Sequence, residues 1–205
     1  MNFKAIILAG GKGTRMKSKN PKVVHKVCGK EMVNHVIDIS NKSGVNDVVV
    51  ILGHGSETVK NVIPEDAIVV MQTEQLGTGH AVKMAKDTIN DDDIIVVLCG
   101  DTPLIEEETL KKLFDYHLEN EYMATVLTTK VDDPTGYGRV IRDSEENFAR
   151  IVEQKDANEE ELAVNEINSG IYCFKGDKLK EALDLLDNNN AQGEYYLTDT
   201  MKIIK

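Results

Sequence analysis

The sequence of 205 residues contains no tryptophan, and aromatic residues make up only 5% of it. Cysteine is also scarce, with three residues that lie far apart and form no CxxC pair. An odd number of widely spaced cysteines argues against a disulfide framework and against a zinc site. We expect Cys28, Cys99 and Cys173 to be small buried apolar residues and to remain unpaired.

Long hydrophobic runs are absent as well. The apolar start of the chain, Ala5–Ala9, has only the length of a strand, which is too short for the core of a signal peptide. No run approaches the roughly 18 apolar residues that a membrane-spanning helix needs. We therefore expect a cytoplasmic protein with no membrane partner.

Basic residues are outnumbered by acidic ones, 24 against 35, and the formal net charge is -11. Such a surface repels nucleic acid and anionic lipid, so we expect no nucleic-acid partner. A small anionic ligand is still compatible with this charge if a local group of N–H donors and basic side chains binds it. The length, with 41% apolar residues, is typical of a single domain, which we expect to span residues 1–205.

Apolar β-branched runs alternate with helical patterns along the first half of the chain, and the runs are continuous rather than alternating. Continuous runs are typical of parallel strands covered by helices on both faces. Strands are expected at Ala5–Ala9, Val48–Leu52, Ile68–Met71, Ile94–Leu98, Ala124–Thr129, Arg139–Arg142, Arg150–Glu153 and Ser169–Phe174. Helices are expected at Met32–Lys42, Ser56–Val62, Thr78–Asp87, Glu107–Glu119, Asp177–Leu186 and from about Tyr196 onward.

These elements predict an α/β protein with a Rossmann-like, doubly wound and mostly parallel mixed sheet, with helices on both faces. The shorter, more polar strands of the second half predict small antiparallel additions to the same domain. Residues 156–162 form a charge run that indicates a solvated loop or a short helix. The C-terminal pattern shows no stop signal, so we expect the chain to be truncated within an element.

A glycine-rich loop with basic residues, Gly10-Gly11-Lys12-Gly13-Thr14-Arg15, follows the first strand. It is not a Walker A loop, which requires GxxxxGK[ST], and the third glycine of a dinucleotide fingerprint is missing. Glycines still let backbone N–H groups approach an anion, while Arg15 and Lys22 offer positive charge for phosphate oxygens. The alternative interpretation is a glycine-rich turn with two solvated basic side chains.

Six segments together resemble the sugar-1-phosphate nucleotidyltransferases. The resemblance runs from about residue 3 to the last turn, and it is strongest to the N-terminal uridyltransferase domain of the bifunctional bacterial UDP-N-acetylglucosamine pyrophosphorylase / glucosamine-1-phosphate acetyltransferase. The opening loop marks only the superfamily, whereas the later motifs are more specific. The segments are LAGGKGTRM from Leu8, QTEQLGTGHA from Gln72, LCGDTPL from Leu98, DDPTGYGR from Asp132, EINSG from Glu166 and NNNAQGEYYLTD from Asn188.

The resemblance implies the nucleotide-diphospho-sugar transferase fold and a reaction for cell-wall precursor synthesis. UTP and N-acetylglucosamine-1-phosphate would give UDP-N-acetylglucosamine and pyrophosphate, with Mg²⁺ as cofactor. The attacking phosphate is already an anion, so no general base is required, and the protein must supply positioning and positive charge. The alternatives are uridyl transfer to another hexose-1-phosphate, or a nucleotide-sugar binding module without turnover.

The resemblance also implies roles for individual residues, each of which has a plainer alternative. Residues expected to bind the substrates are Leu8, Ala9, Gly10, Gly11, Gln72, Gly77, Thr78, Cys99 and Gly100, with Arg15 and Lys22 as the catalytic cations. Of these, Gln72, Gly77 and Thr78 should recognise uracil. Asp101 is expected to bind Mg²⁺, and Gly138, Glu153 and Asn168 to hold the N-acetylglucosamine ring and its N-acetyl group. The roles of Tyr137 and Arg139 stay open.

The alternatives are structural. Asp101 could cap a helix that begins at Thr102-Pro103, and Gln72 could be a surface residue that ends a strand. Gly77 and Gly79 could be simple turn residues before the helix from Thr78. A side chain added at Gly77 is expected to clash only if a base packs there. Glu153 could be a solvated strand end and Asn168 a turn residue.

The sequence departs from the family pattern in two respects. Gly10 stands where the family usually has alanine, which should not harm phosphate binding. The family's second metal ligand, an asparagine, and its trimer-forming left-handed β-helix would lie beyond residue 205. We therefore expect no acetyl transfer by these residues and an incomplete set of metal ligands.

Overall fold

The computed structural model of the protein describes residues 2–13 and 16–205, so the predicted catalytic residue Arg15 lies outside the described residues. The strands are β1 Asn2–Leu8, β2 Lys26–Val27, β3 Lys30–Glu31, β4 Asp47–Leu52, β5 Ile68–Met71, β6 Asp93–Cys99, β7 Ala124–Lys130, β8 Arg139–Arg142, β9 Phe148–Val152 and β10 Glu166–Lys175. The α-helices are α1 Met32–Lys42, α2 Ser56–Lys60, α3 Thr78–Met84, α4 Glu107–Glu119, α5 Glu159–Leu162, α6 Gly176–Leu185 and α7 Thr198–Ile204.

Eight strands form one sheet in the order β5-β4-β1-β6-β10-β8-β9, with β7 paired to β10. The pairs β1–β4, β1–β6 and β4–β5 are parallel, as the continuous apolar runs predicted. Strand β10 runs antiparallel to β6, β7 and β8, and β8 runs antiparallel to β9. The mixed, mostly parallel sheet with antiparallel additions is confirmed.

Side chains of β1 alternate between two hydrophobic clusters, one on each face of the sheet. Ala5 and Ile7 belong to one cluster, Ile6 belongs to the other, and none of the three is exposed to solvent. Helices α1 and α4 contribute to the first cluster, whereas α3, α6 and α7 contribute to the second. A strand buried on both faces must be apolar at every position, which explains the absence of alternation in the sequence.

Several predicted boundaries move by a few residues. Strand β9 ends at Val152, so Glu153 follows the strand instead of ending it. The helix from Thr78 stops at Met84 and is followed by a 3₁₀ turn at Lys86–Thr88. The charge run contains the short helix α5, and the last helix begins at Thr198 rather than near Tyr196.

The small hairpin β2–β3 was not predicted, because two-residue strands leave no periodicity to detect. Cys28 lies in its turn with a φ of 50° and is exposed, so the expectation of burial is wrong for this residue. Cys99 is half-buried, and Cys173 is buried as expected. All three cysteines are free, as expected. Within residues 2–13 and 16–205, every helix is too short or too polar to cross a bilayer.

Candidate functional site

The carboxyl ends of β1 and β6 lie side by side at the centre of the sheet. Leu8 is the register partner of Cys99, and the amide of Gly100 donates to the carbonyl of Leu8 at 2.9 Å. The chain continues from β1 to β4 and β5 on one side of β1 and then crosses to β6 on the other side. The order of the strands therefore reverses at β1, which makes this a topological switch point. Loops that leave such a point diverge and form the crevice in which doubly wound sheets bind ligands.

A cavity of about 600 Å³ opens at this edge of the sheet. Nine of the residues predicted to bind substrate or metal line it, namely Leu8, Gly10, Gly11, Lys22, Gln72, Gly77, Thr78, Cys99 and Asp101. Ala9 and Gly100 do not line the cavity, because both are buried behind its surface. The amide of Ala9 donates to the carbonyl of Ile51. Their part is to fix the two loops against the sheet.

Lys22 and Asp101 form an ion pair in the wall of this cavity, with 2.6 Å between Nζ and Oδ2. Lys22 lies on a 3₁₀ turn that passes close to the glycine-rich loop. Gly13 has a φ of 56°, and a Cβ on it would lie 2.8 Å from the Cβ of Lys22, so the approach requires glycine. Asp101 does not cap a helix, since α4 begins only at Glu107, and that alternative is wrong.

The Asp101 carboxylate is the group that fits a divalent cation here. No cluster of three or more Asp, Glu, His or Cys side chains exists among the residues that the structure describes. Mg²⁺ is compatible with such a site, because it usually takes one or two carboxylates and completes its shell with water and substrate phosphates. Burial and the charge of Asp101 raise the pKa of the neighbouring Cys99 thiol to about 11, so the sulfur stays protonated.

Gln72 also lines the cavity and is only 5% exposed. Its Nε2 donates to the carbonyl of Gly77 at 3.1 Å and lies 3.2 Å from Nδ1 of His80. Its Oε1 lies beside Gly10, where an added Cβ would be 3.3 Å away. The two hydrogens of the amide are therefore engaged within the chain, and the acceptor oxygen is left for a ligand.

The turn before α3 is held by a distant part of the chain. The amide of Tyr195 donates to the carbonyl of Leu76, and the amide of Gly79 donates to the carbonyl of Tyr195, both at 2.8 Å. Gly77 has a φ of 109°, and a Cβ on it would lie 2.5 Å from the carbonyl oxygen of Tyr195. The expectation that a side chain at Gly77 would clash only with a bound base is wrong, because the protein's own backbone fills that space.

The three residues predicted to hold the sugar lie together, but they do not line the large cavity. A Cβ on Gly138 would lie 3.5 Å from both carboxylate oxygens of Glu153, and the amide of Asn168 donates to the carbonyl of Gly138 at 2.9 Å. The Cys99 thiol, 3.8 Å from the carbonyl of Gly170, connects this group to the cavity. The structure thus brings the three residues to one place.

Glu153 is half-buried and accepts a hydrogen bond within the chain, so it is not the solvated strand end of the plainer alternative. Burial raises the pKa of its carboxyl, as do the nearby charges of Asp199, Asp156 and Glu194. The hydroxyl of Thr198 donates to Oε1 at 3.0 Å and acts in the opposite direction. Glu153 also lines a second cavity of about 470 Å³.

Several residues that line the large cavity were not predicted: Lys12, Gly13, Met16, Val23, Ile51, Gln75, Ala81 and Glu194. Gln75 and Glu194 belong to motifs that carried the resemblance, so their position in the sequence was a usable signal. Ile51 and Ala81 carried no such signal in the sequence, because an apolar residue that lines a cavity has the same pattern as an apolar residue in the core. His80 supports Gln72 directly, through the contact of its Nδ1 with Nε2.

Comparison with known proteins agrees with this geometry. The family model "Nucleotidyl transferase" matches residues 4–204. "Bifunctional protein GlmU" of Clostridioides difficile (strain 630) is 73% identical over all 205 residues, and the protein of that name in Alkaliphilus oremlandii (strain OhILAs) is 58% identical over the same length. The chain covers 45% of the length of each of these relatives.

Two solved structures of UDP-glucose pyrophosphorylase share the fold. The one complexed with UDP-glucose has a TM-score of 0.82 at 20% identity, and the apo structure has a TM-score of 0.81 at 18% identity. Each alignment covers 99% of this chain and 86% of the other chain. With the family model matching nearly its whole length, the chain belongs to the nucleotidyl transferase family.

Proposed function

We propose that residues 1–205 form a nucleotidyltransferase domain that transfers UMP from UTP to N-acetylglucosamine-1-phosphate, giving UDP-N-acetylglucosamine and pyrophosphate. The observation that carries this proposal is the meeting of Lys22, Asp101 and the glycine-rich loop around one cavity at the switch point of the sheet. The identity of 73% to a bifunctional GlmU protein supports the same conclusion. The product would serve cell-wall precursor synthesis.

The acceptor oxygen of Gln72 supports uracil as the base. Uracil carries a hydrogen on N3 and can donate it to Oε1, whereas N3 of cytosine carries none. Because Nε2 of Gln72 is engaged by Gly77 and His80, the side chain cannot rotate to offer a donor to cytosine without losing both contacts. The base subsite therefore favours UTP over CTP.

The reaction is an in-line displacement at the α-phosphorus of UTP. A phosphate oxygen of the sugar phosphate forms the new P–O bond, the bond to the β-phosphate oxygen breaks, and pyrophosphate leaves with the electron pair. Lys22 offsets the negative charge where the two anions meet, and the loop amides around Gly11 orient the triphosphate. We assign the same electrostatic role to Arg15.

Asp101 would hold the metal ion, which we take to be Mg²⁺. When bound, Mg²⁺ would neutralise and align the phosphates of the two substrates. The structure supports this role through the position of the carboxylate, directly after β6 and in the wall of the cavity. Glu153, Asn168 and Gly138 would bind the sugar beyond Cys99.

Pyrophosphate release from this chain tests the proposal, with UTP, N-acetylglucosamine-1-phosphate and Mg²⁺ as substrates and cofactor. We expect release that falls by at least about 100-fold in Asp101→Asn, which keeps the shape of the side chain and removes its charge. CTP and glucose-1-phosphate should be poor replacements. Undiminished release by Asp101→Asn, or equal rates with UTP and CTP, would contradict the assignment.

A further inference from the structure

We propose that Tyr172 is a positioning residue that orients the amide of Asn168 toward the acetamido group of the sugar. The inference rests on the proposed function, since it concerns the sugar subsite of that reaction. It is carried by the hydrogen bonds around Asn168 and by the burial of the Tyr172 side chain.

Strand β10 has an irregularity between Asn168 and Tyr172, where its register against β7 shifts. A bulge of this kind changes the direction of the side chains around it and is common next to functional sites. Here it brings the side chains of Asn168 and Tyr172, four residues apart on one strand, within hydrogen-bond distance, with 2.6 Å between Nδ2 and the hydroxyl oxygen.

The two ends of the Asn168 amide have different partners. The backbone N–H of Gly170 donates to Oδ1 at 3.0 Å, and Nδ2 donates to the Tyr172 hydroxyl. A backbone N–H can only donate, so the oxygen must face Gly170 and the nitrogen must face Tyr172. The opposite orientation would place Nδ2 against the N–H of Gly170, two donors with no acceptor between them.

Tyr172 is well suited to hold this orientation. Tyr172 is only 3% exposed, and its ring stacks on Phe174 with 5.8 Å between ring centroids. The hydroxyl therefore has a fixed position. Burial raises the pKa of the phenol well above its ordinary value, and the negative charge of Glu153 acts in the same direction. The hydroxyl therefore keeps its hydrogen and accepts the bond from Asn168 with a lone pair.

The oriented amide matches an acetamido group. One N–H of Asn168 and one lone pair of Oδ1 remain after the contacts with Tyr172 and Gly170. An acetamido group offers a carbonyl acceptor and an N–H donor on separate atoms, and a properly oriented amide can engage both. The hydroxyl of an unacetylated hexose carries both functions on one oxygen and cannot span the two. Tyr172 would thus contribute to selectivity for the sugar without touching it.

The test compares UDP-N-acetylglucosamine with UDP-glucose by isothermal titration calorimetry, using the wild-type chain and Tyr172→Phe. We expect the preference for the acetylated ligand to fall by about 3–10-fold in Tyr172→Phe, the equivalent of one hydrogen bond. Affinity for UDP alone should not change. Tyr196→Phe is the matched control, because it removes a hydroxyl that bonds Asp156 and Gln192 and not Asn168.

A double-mutant cycle separates positioning from a general packing effect. If Tyr172 acts through Asn168, Tyr172→Phe should not change the preference in an Asn168→Ala background. The side-chain amide resonance of Asn168 gives a second readout in ¹⁵N-labelled protein without ligand. It should shift in Tyr172→Phe and not in Tyr196→Phe.

An unchanged preference in Tyr172→Phe, or an equal loss in both backgrounds, would overturn the role of Tyr172 alone. A wild-type chain that binds both UDP-sugars equally would overturn the sugar assignment together with this inference. Selective binding that depends on Tyr172, in a chain that releases no pyrophosphate, would support the inference and contradict the proposed turnover.

Discussion

Nζ of Lys22 lies 2.6 Å from Oδ2 of Asp101, so the proposed phosphate-binding cation pairs with the proposed metal ligand. Both side chains are about a third exposed, at 37% and 31%. Ion pairs this accessible contribute at most about 1 kcal/mol, so the contact can be exchanged easily for others. In the proposed site, the ammonium group would therefore compete with a divalent cation for the same carboxylate oxygen.

Lys22→Met should strengthen the binding of a divalent cation to the chain without substrates, while it lowers turnover. Removing the competing ammonium should tighten Mn²⁺ binding by about 2–5-fold, in line with the small energy of an exposed pair. Water-proton relaxation in a Mn²⁺ titration measures this affinity directly. Asp101→Asn is the control and should abolish the site. Weaker Mn²⁺ binding in Lys22→Met would show that the lysine does not compete for the carboxylate.

Gly77→Ala should destabilise the fold by about 2–4 kcal/mol, because it adds both backbone strain and a clash with Tyr195. The matched control is Gly136→Ala, since Gly136 has a φ of 89° but a Cβ on it would meet nothing within 4 Å. Urea denaturation of the two variants separates strain from clash. Equal losses of stability in the two variants would show that the backbone of Tyr195 moves aside with no loss of folding free energy, and would contradict the clash.

Glu153→Gln should raise stability at neutral and alkaline pH and lower sugar binding. The pKa of Glu153 is above its ordinary value, mainly through burial, so the folded state retains the proton to a higher pH than the unfolded state. The wild type therefore loses stability as pH rises from the unfolded pKa through the folded one, and the loss is complete above that range. Glutamine carries no such charge and can still accept the bond from Thr198.

Urea midpoints of the wild type and Glu153→Gln measured between pH 4 and pH 8 check this sign. We expect the advantage of the variant to grow with pH and to vanish near pH 4. A variant that is less stable than the wild type at pH 8 would mean that the carboxylate is stabilised by its surroundings.

Iodoacetamide at pH 7.5 should modify Cys28 and leave Cys99 unmodified. Cys28 is exposed, whereas the pKa of Cys99 is raised to about 11 by burial and by Asp101. The positive charge of Lys22 acts against this rise. At pH 9.5, alkylation of Cys99 should therefore be slower in Lys22→Met and faster in Asp101→Asn, as peptide mass spectrometry would show. Rapid labelling of Cys99 at pH 7.5 in the wild type would contradict this assignment.

Much of the fold could be predicted from periodicity and residue type. The bounds of α1 and α4 match the sequence prediction, because both helices carry a clear apolar face and pack on the same side of the sheet. The hairpin β2–β3 could not be predicted, since its residues Lys26–Val27 and Lys30–Glu31 bury little apolar surface. Helix α7 begins two residues later than predicted, after Tyr196, whose hydroxyl donates to Asp156, and Leu197, whose amide donates to the Thr78 hydroxyl.

The candidate site was predictable where a residue sits directly after a strand, and less so where a contact joins distant segments. Asp101 and the glycine-rich loop follow β6 and β1, and parallel strands bring such positions together. The pair Lys22–Asp101 and the bond between Asn168 and Tyr172 depend on side-chain directions that a sequence pattern does not contain. The contact of the Tyr195 backbone with Gly77 could not be predicted either. The sequence analysis expected a bound base in the space that Tyr195 fills.

The contact between the Leu76–Gly79 turn and Tyr195 bears on the order in which the protein folds. More than a hundred residues separate the two segments, and closing so large a loop costs conformational entropy before any contact repays it. The parallel core of β1, β4, β5 and β6 can be completed by residue 99, well before Tyr195 leaves the ribosome. We therefore expect the proposed base subsite around Gln72 and Gly77 to assemble late, after a nascent chain has acquired its parallel sheet.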